Sequence, residues 1–561
     1  MNRNTDMFSM LPSVNIGRST FERRADVKLT GNVGDLIPFY VEEVLPGDSY
    51  KVSTAKVIRL QTPAVPVMDN LYADFYYFFV PNRLVWEHWR NLMGENTESA
   101  WVSDVEYSVP QLHVGDGGVQ PCSIADYMGL PPGPGGYSVN ALPFRAYALI
   151  CNEWFRDENL SDPVPISKGD SNDDYTDISD SSDDGYITQF ALGGRPYKAA
   201  KMHDYFTSAL PQAQKGEAVP ISSITAGKLP VYAFPEAHSV DNLPVGSNGK
   251  PVQMVLGTQL SASAAYNMSG SNWSAIGTGS IDSSGNIINP GTAASPLNLW
   301  ADLNTGLSLG TVNELRKAFQ IQRLLEKDAR GGTRYIEQLR VHFGVISPDA
   351  RMQRPEYLGG NRIPITISQV LANTADAQAQ KIGSTGAVSL TVDNHYDFTH
   401  SFTEHGFIIG MMVLRYRHTY QQGIEKFWSR KFRFDYYYPV LANIGEQPIL
   451  NKEIFLQGNE EDEDVFGYQE AWADYRYKPA RVAGEMRSSY AQSLDVWHFA
   501  DDYESLPYLS DEWIREDPNN VNRALTVSSN VSNQFFADIL TDAKAIRPMP
   551  LYSVPGLMDH N

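Results

Sequence analysis

Three histidines stand five residues apart, at His395, His400 and His405, and imidazole is the commonest side chain in transition-metal sites. A metal ion needs its donors on one side. Residues an odd number apart on a strand point to opposite faces, so this spacing predicts core or interface histidines and no single metal centre. "DSSDDG" (180–185) reproduces the first half of a calcium loop, with Asp180, Ser182, Asp184 and Gly185 in register. Ala191 stands where such a loop needs its bidentate glutamate, so a solvated acidic loop is expected, and "NEEDED" (459–464) reads the same way. "SNGKP" (247–251) ends like a phosphate loop, but Pro251 replaces the magnesium-holding hydroxyl and the earlier glycine is missing. HExxH does not occur, and the one GxSxG match, "GLSLG" (306–310), is not read as a nucleophile elbow. Nothing here calls for a cofactor or a metal, and the chain is not expected to be an enzyme.

A different chemistry is offered by "ARGGTRYIEQLRVHFGVISPDARMQRPEYLGG" (329–360), with five arginines against three acids. Guanidinium groups grip phosphates, and they also pair bidentately with carboxylates across protein interfaces, keeping their charge when desolvated. Acidic residues lie close by in sequence at Glu326, Asp328, Glu337, Asp349 and Glu356. Arg330, Arg334, Arg340, Arg351 and Arg354 are therefore expected to serve contacts between subunits, with loss of Arg351 or Arg354 stopping assembly of a folded monomer. The whole-chain charge agrees: 45 basic against 66 acidic residues give −21. A chain that grips a polyanion alone carries a basic surplus. Any nucleic acid is expected to be held locally or neutralised by another protein.

The elements that must carry these residues read mainly as β. "DLIPFYVEEVL", "SYKVSTAKVIRL" and "LYADFYYFFV" (within 35–80) are rich in Val, Ile, Tyr and Phe and are separated by turn-forming Pro, Gly and Asp. The third hardly alternates, which predicts a strand buried on both faces. "RIPITISQVL" (362–371), "HGFIIGMMVLRYRHTY" (405–420) and "FRFDYYYPVL" (432–441) also read as strands. Helices are expected over 81–94, capped by Asn82 and stopped by Gly94, and over 143–155, opened by Pro143. The clearest helix is 311–332. Thr311 and Glu314 suit a capping box, Val312, Leu315, Phe319 and Leu325 share a face, and Gly331 ends it. Strands at both ends with helices and long loops between them predict a β-sandwich with large insertions.

Two cysteines, Cys122 and Cys151, cannot staple 561 residues, so burial must hold the fold and a reducing birthplace fits. The start of the chain lacks an apolar run of signal-peptide length. The longest apolar run, "FIIGMMVL" (407–414), is too short to span a bilayer, so no membrane insertion is expected. Residues 1–30 are polar and locally basic, either a frayed terminus or an extended arm laid over a neighbouring subunit, and Arg3, Arg18, Arg23, Arg24 and Lys28 are candidates for DNA contact. Residues 221–300 hold only five charged side chains and are rich in Ser, Gly, Asn and Ala. Anchors such as Trp273 favour an ordered surface insertion over a linker. Its Tyr266, Asn267, Asn272 and Trp273 suit a recognition surface of adaptable polar contacts around stiff aromatics.

Longer motifs carry a resemblance. "MDNLYADFYYFFVPNRLVW" (68–86), "SPDARMQRPEYLGG" (347–360), "TYQQGIEKFWSR" (419–430) and "FGYQEAWADYRYKPARVAGEMR" (466–487) are similar to the major capsid proteins of gokushoviruses, small icosahedral single-stranded DNA phages of the Microviridae. The likeness runs from about residue 16 to beyond 550 and is interrupted mainly at 221–300. It implies an eight-stranded antiparallel jelly-roll with long inserted loops, self-assembling into a T=1 icosahedral capsid around a circular single-stranded DNA genome. The implied layout is a first part of the jelly-roll at 31–220, a three-fold protrusion that meets the host at 221–300, and a second part at 301–561. Implied partners are copies of the chain itself, a small basic DNA-condensing protein, internal scaffolding and minor or pilot capsid proteins, and a host cell-surface receptor. The implied location is the virion, and the host bacterial cytoplasm during assembly. Trp472, Tyr475, Arg476 and Tyr477, inside the last motif, join the arginines as inter-subunit candidates, since aromatics and arginine anchor interfaces. Two other classes remain open on the residues alone: a lectin-like jelly-roll that binds carbohydrate, and a cupin-like metalloenzyme, which the histidine spacing disfavours.

Overall fold

The computed structural model describes residues 17–96, 106–176, 189–216, 219, 231–233, 253–257, 275–281, 287–288, 299–301, 312–371, 373, 383 and 385–552. The chain divides into two compact units, Gly216–Leu325 and the remainder.

Among the described residues, the two main sheets of the larger unit are built from eight long strands: β1 (Ser19–Gly31), β2 (Asp35–Val44), β3 (Ser49–Leu60), β4 (Leu71–Pro81), β5 (Glu356–Pro364), β6 (Thr391–Ser401), β7 (Gly406–Tyr416) and β8 (Phe535–Arg547). They form two antiparallel sheets, one in the order β1-β8-β3-β6 and the other β5-β4-β7-β2, with the short Tyr197–Lys198 strand on the free edge of β2. The protein is thus mainly β, with few helices.

Two clusters explain the burial of the second sheet on both faces. On one side Phe39, Phe75, Tyr77, Phe79, Ile408 and Met412 pack with Val52, Ile58, Phe398 and Ile539 of the first sheet. On the other, Phe78, Val80, Ile409, Met411 and Val413 pack against Trp86, Phe144, Tyr147 and Ile150. A strand covered on both faces gains nothing from polar alternation, which is why "LYADFYYFFV" shows so little of it. The covering helix is α1 (Leu142–Ile150), continued by one wider turn over Cys151–Phe155. Its fully buried Arg145 donates to Asp173 (2.7 Å) and to the carbonyls of Gly169 and Ser171 (3.1 and 3.0 Å), pinning the loop that leads into the acidic segment.

Several expectations need correction. Residues 81–94 make two single turns, Asn82–Val85 and Trp89–Leu92, and the first is entered from Pro81 without a side-chain cap. Tertiary anchoring wins there: the buried Trp86 indole donates to Asp170 (2.7 Å), and Glu87 N–H bonds to Lys168 C=O. "RIPITISQVL" is two strands, because Pro364 cannot donate to a ladder and the chain leaves β5 to pair Ile367–Leu371 with Thr385–Ser389. "FRFDYYYPVL" is no strand at all, only tight turns at Arg433–Asp435 and Pro439–Leu441. From Ser19 onward the basic N-terminal segment is not an arm; it is β1, paired with β8 along its whole length.

Helix α2 (Val312–Gly331) is followed by α3 (Tyr335–Phe343) after a tight turn through Gly332, at φ +88°. Within the smaller unit, Val231–Ala233 pairs with Leu299–Ala301, and Gln253–Gly257, Ala275–Ile281 and Ile287–Ile288 form a second sheet. The calcium-like loop, the phosphate-like "SNGKP", Thr311, Arg3, Tyr266, Asn267, Asn272 and Trp273 lie outside the described residues.

One buried ionic group ties the segment after β7 to the C-terminal part of the chain. His418 Nδ1 lies 2.9 Å from Asp501 and Nε2 lies 3.0 Å from Glu516, all three side chains being buried. Burial alone would push the imidazole pKa down, but the two carboxylates overcome it and hold it up at about 10. Burial would likewise raise Asp501, yet His418 draws it down to about 2. With its pKa raised this way, His418 is held as the imidazolium at neutral pH.

Candidate functional site

In the larger unit, the segment after β7 turns back on itself in short steps. The Asp435 carboxylate accepts the backbone N–H of Lys431 (2.8 Å) and Phe432 (2.7 Å), which closes one turn and lowers the Asp435 pKa. Pro439 starts the next. With the backbone committed to turns, large apolar side chains point outward: Trp428 is 71% exposed, Phe432 71%, Phe434 74% and Val440 93%, with Phe427, Tyr436, Tyr437 and Tyr438 also exposed.

The crest rests on a firm platform. Trp472, in a left-handed conformation (φ 64°), is buried, and its indole donates to Leu441 C=O at 2.8 Å. Tyr437 meets the Trp472 ring edge-on at 5.7 Å. Arg430 pairs with Asp474, donates to Asp435 C=O (2.9 Å) and lies 4.3 Å over the Tyr475 ring. Tyr477 stacks on Tyr205 at 5.6 Å with planes 8° apart, and burial pushes its hydroxyl up to about 12. Arg476 reaches Glu470 at 2.5 Å and Ala471 C=O at 3.2 Å. Of the four predicted contact residues in this motif, Trp472 and Tyr477 are thus committed within the subunit. Tyr475 and Arg476 remain half-exposed beside the crest.

The arginine strip divides in the same way. Arg334 opens α3, pairs with Glu158 (2.5 Å) and Glu337 (3.2 Å), and donates to the carbonyls of Asn152 and Arg156. Arg330 pairs with Glu446 and, at 3.4 Å, Glu470. Arg354 is buried 4.0 Å over the Trp154 ring and donates to Glu153 C=O at 3.1 Å. Arg340 and Arg351 are exposed, and their guanidinium groups make no hydrogen bond or ion pair among the described residues. Close to Arg340, Tyr335, Phe343, Val345 and Ile346 are also exposed, Ile346 at 77%.

The expected equivalence of Arg351 and Arg354 therefore fails. Arg354→Ala strips a stacked, desolvated cation from its own subunit and is expected to cost the monomer about 1–3 kcal/mol. Arg351→Ala is expected to stay within about 0.5 kcal/mol of the parent. Chemical denaturation of unassembled protein checks both.

The basic residues near the N-terminus already face carboxylates. Arg23 lies 2.8 Å from Glu42, Arg24 3.2 Å from Asp542, and Lys28 2.6 Å from Asp26 and 3.6 Å from Asp538. These cations are about half exposed or more, so the pairs are screened and weak. Arg18 is exposed and has no carboxylate partner among the described residues. The three spaced histidines sit apart. His395 is 3.1 Å from Asp397, His400 3.7 Å from Glu356, and the His405 ring 5.5 Å from that of Trp89. No group able to hold a metal is found among the described residues. In "NEEDED", Glu460, Glu461 and Glu463 are solvated, but Asp462 is buried and accepts the N–H of Gln457 and Gly458.

An exposed aromatic crest held on a rigid platform is what a subunit covered by other subunits requires. The family model for capsid protein (F protein) matches residues 9–557. The chain belongs to this capsid protein family. It is 41% identical to the capsid protein VP1 of Spiroplasma virus 4, over 99% of this chain and 98% of that protein. It is 39% identical to VP1 of Bdellovibrio phage phiMH2K over the same shares, and 38% identical to VP1 of Chlamydia phage 1 over 98% and 97%. The similarity to gokushovirus capsid proteins read from the motifs is thereby shown. A capsid protein's work is to form a shell from copies of itself, and its place is the virion. Among the described residues no helix is long and apolar enough to cross a membrane.

Proposed function

We propose that this capsid protein closes a T=1 icosahedral shell around circular single-stranded DNA, and that a second copy of the chain covers the crest Phe427–Val440. The crest carries the proposal. Seven exposed aromatics within twelve residues (427–438) are a large apolar area for a charged, acidic chain to leave in water. The strand orders β1-β8-β3-β6 and β5-β4-β7-β2, with antiparallel pairing throughout, support reading the sandwich as an eight-stranded jelly-roll.

The net charge of −21 supports a division of labour in which a small basic protein neutralises the genome while the shell contributes local contacts. Arg18 is the N-terminal candidate with most freedom to join them. The charge-poor composition of 221–300 supports a role for Gly216–Leu325 as the host-facing protrusion. Scaffolding and pilot proteins complete the set, with assembly in the bacterial cytoplasm. Purified particles treated with nuclease are expected to protect circular DNA that single-strand-specific nuclease destroys once the shell is opened. Protected double-stranded DNA, or particles that never protect nucleic acid, would contradict this function.

A further inference from the structure

Between the two sheets, a buried lysine stands against an asparagine amide. Lys56, on β3, is 1% exposed, and its Nζ lies 2.5 Å from Oδ1 of Asn361 on β5 and 4.2 Å from the centroid of the Phe75 ring. The Asn361 amide donates through Nδ2 to Oδ2 of Asp393 at 2.8 Å, and that same oxygen lies 3.6 Å from Lys56 Nζ. One carboxylate oxygen therefore accepts from the amide nitrogen and lies within ion-pair distance of the amine. Asp397 lies 3.9 Å from Nζ and is held by Thr54 at 2.5 Å and His395 at 3.1 Å. β5 can come this close because two residues lack a Cβ. One at Gly359 would sit 2.3 Å from the Asp397 carbonyl oxygen, and one at Gly360 (φ +150°) 2.0 Å from that of Phe75.

We propose that Lys56 and Asn361 join in an intramolecular amide bond, with Asp393 as the proton shuttle. The neutral amine attacks Cγ of Asn361. The Nζ–Cγ bond forms, Oδ2 of Asp393 takes a proton from Nζ and delivers it to Nδ2, the Cγ–Nδ2 bond breaks, and ammonia leaves. Atoms and charge balance, and no oxidant or other reactant is consumed. An amine is a nucleophile only when deprotonated. Burial disfavours the ammonium more than Asp397 and Asp393 favour it, so the Lys56 pKa is lowered. The fold supplies the rest by holding amine, amide and shuttle in contact, which replaces a slow bimolecular encounter with a unimolecular step. The product would tie β3 of one sheet to β5 of the other, a covalent rung across the sandwich of every subunit.

Intact-mass spectrometry of denatured full-length protein from assembled particles tests this. The parent chain is expected to weigh less than its sequence by one ammonia, and its digest to contain a branched peptide joining the segments around Lys56 and Asn361. Lys56→Arg and Asn361→Ala are expected at full sequence mass, and Asp393→Asn likewise, because it removes the proton shuttle. A parent chain at full sequence mass would overturn the proposal whatever the variants do. So would an ammonia loss that persists in Lys56→Arg, because succinimide formation at Asn248-Gly249 sheds the same mass without any cross-link.

Discussion

Replacing His418 by alanine is expected to destabilise the larger unit by about 3–5 kcal/mol, because it leaves two buried carboxylates facing each other without their cation. The size follows from the geometry. Both ring nitrogens are engaged, at 2.9 and 3.0 Å, and Asp501 also accepts from Asn520 (2.6 Å) and Tyr503 (2.8 Å), so the network cannot relax into solvent. The pH dependence has a definite sign. His418 rises from an ordinary 6.5 to about 10 on folding, so its contribution is complete below about 6.5 and fades as pH climbs through about 10. Asp501 falls from 3.8 to about 2, so its contribution is complete above about 3.8 and fades as pH drops through about 2. Urea midpoints of parent and His418→Ala should therefore differ most between about pH 4 and 6.5, and converge toward pH 10. A gap that widens at alkaline pH would place a neutral imidazole at this position.

Trp428→Ser combined with Phe434→Ser is expected to leave the monomer's stability unchanged and to abolish particles. Both rings are already in water in the single subunit, so their loss removes little that the isolated fold depends on. Once covered by a neighbour, each is worth about 1.5–3 kcal/mol. Two losses per contact weaken pairwise association by at least about a hundredfold. A closed shell repeats each contact in every subunit, so the deficit multiplies.

Legibility followed burial. β2, β3, β4 and β7 are plain in the sequence because each is a run of Val, Ile, Tyr and Phe covered within its own chain. β1, β6 and β8 are not, since their outward faces carry Arg24, Lys28, Asn394 and Asp542, and β1 finds its partner β8 only across nearly the whole chain. β8 alternates buried and exposed from Phe535 to Leu540, but its exposed positions include Phe536 and Leu540, so an apolar–polar period of two does not show there. The crest misled for the opposite reason. "FRFDYYYPVL" has the composition of a buried strand, and propensity registers that aromatic rings will be covered without saying by which molecule. The arginines show the same ambiguity: Arg351 and Arg354 are three residues apart, yet one is free and the other lies on Trp154.

Sedimentation of purified parent protein beside the Trp428→Ser, Phe434→Ser variant tests the self-covering crest most directly. The account predicts megadalton spherical particles for the parent and folded subunits alone for the variant at the same concentration. Particles formed equally well by both would contradict it.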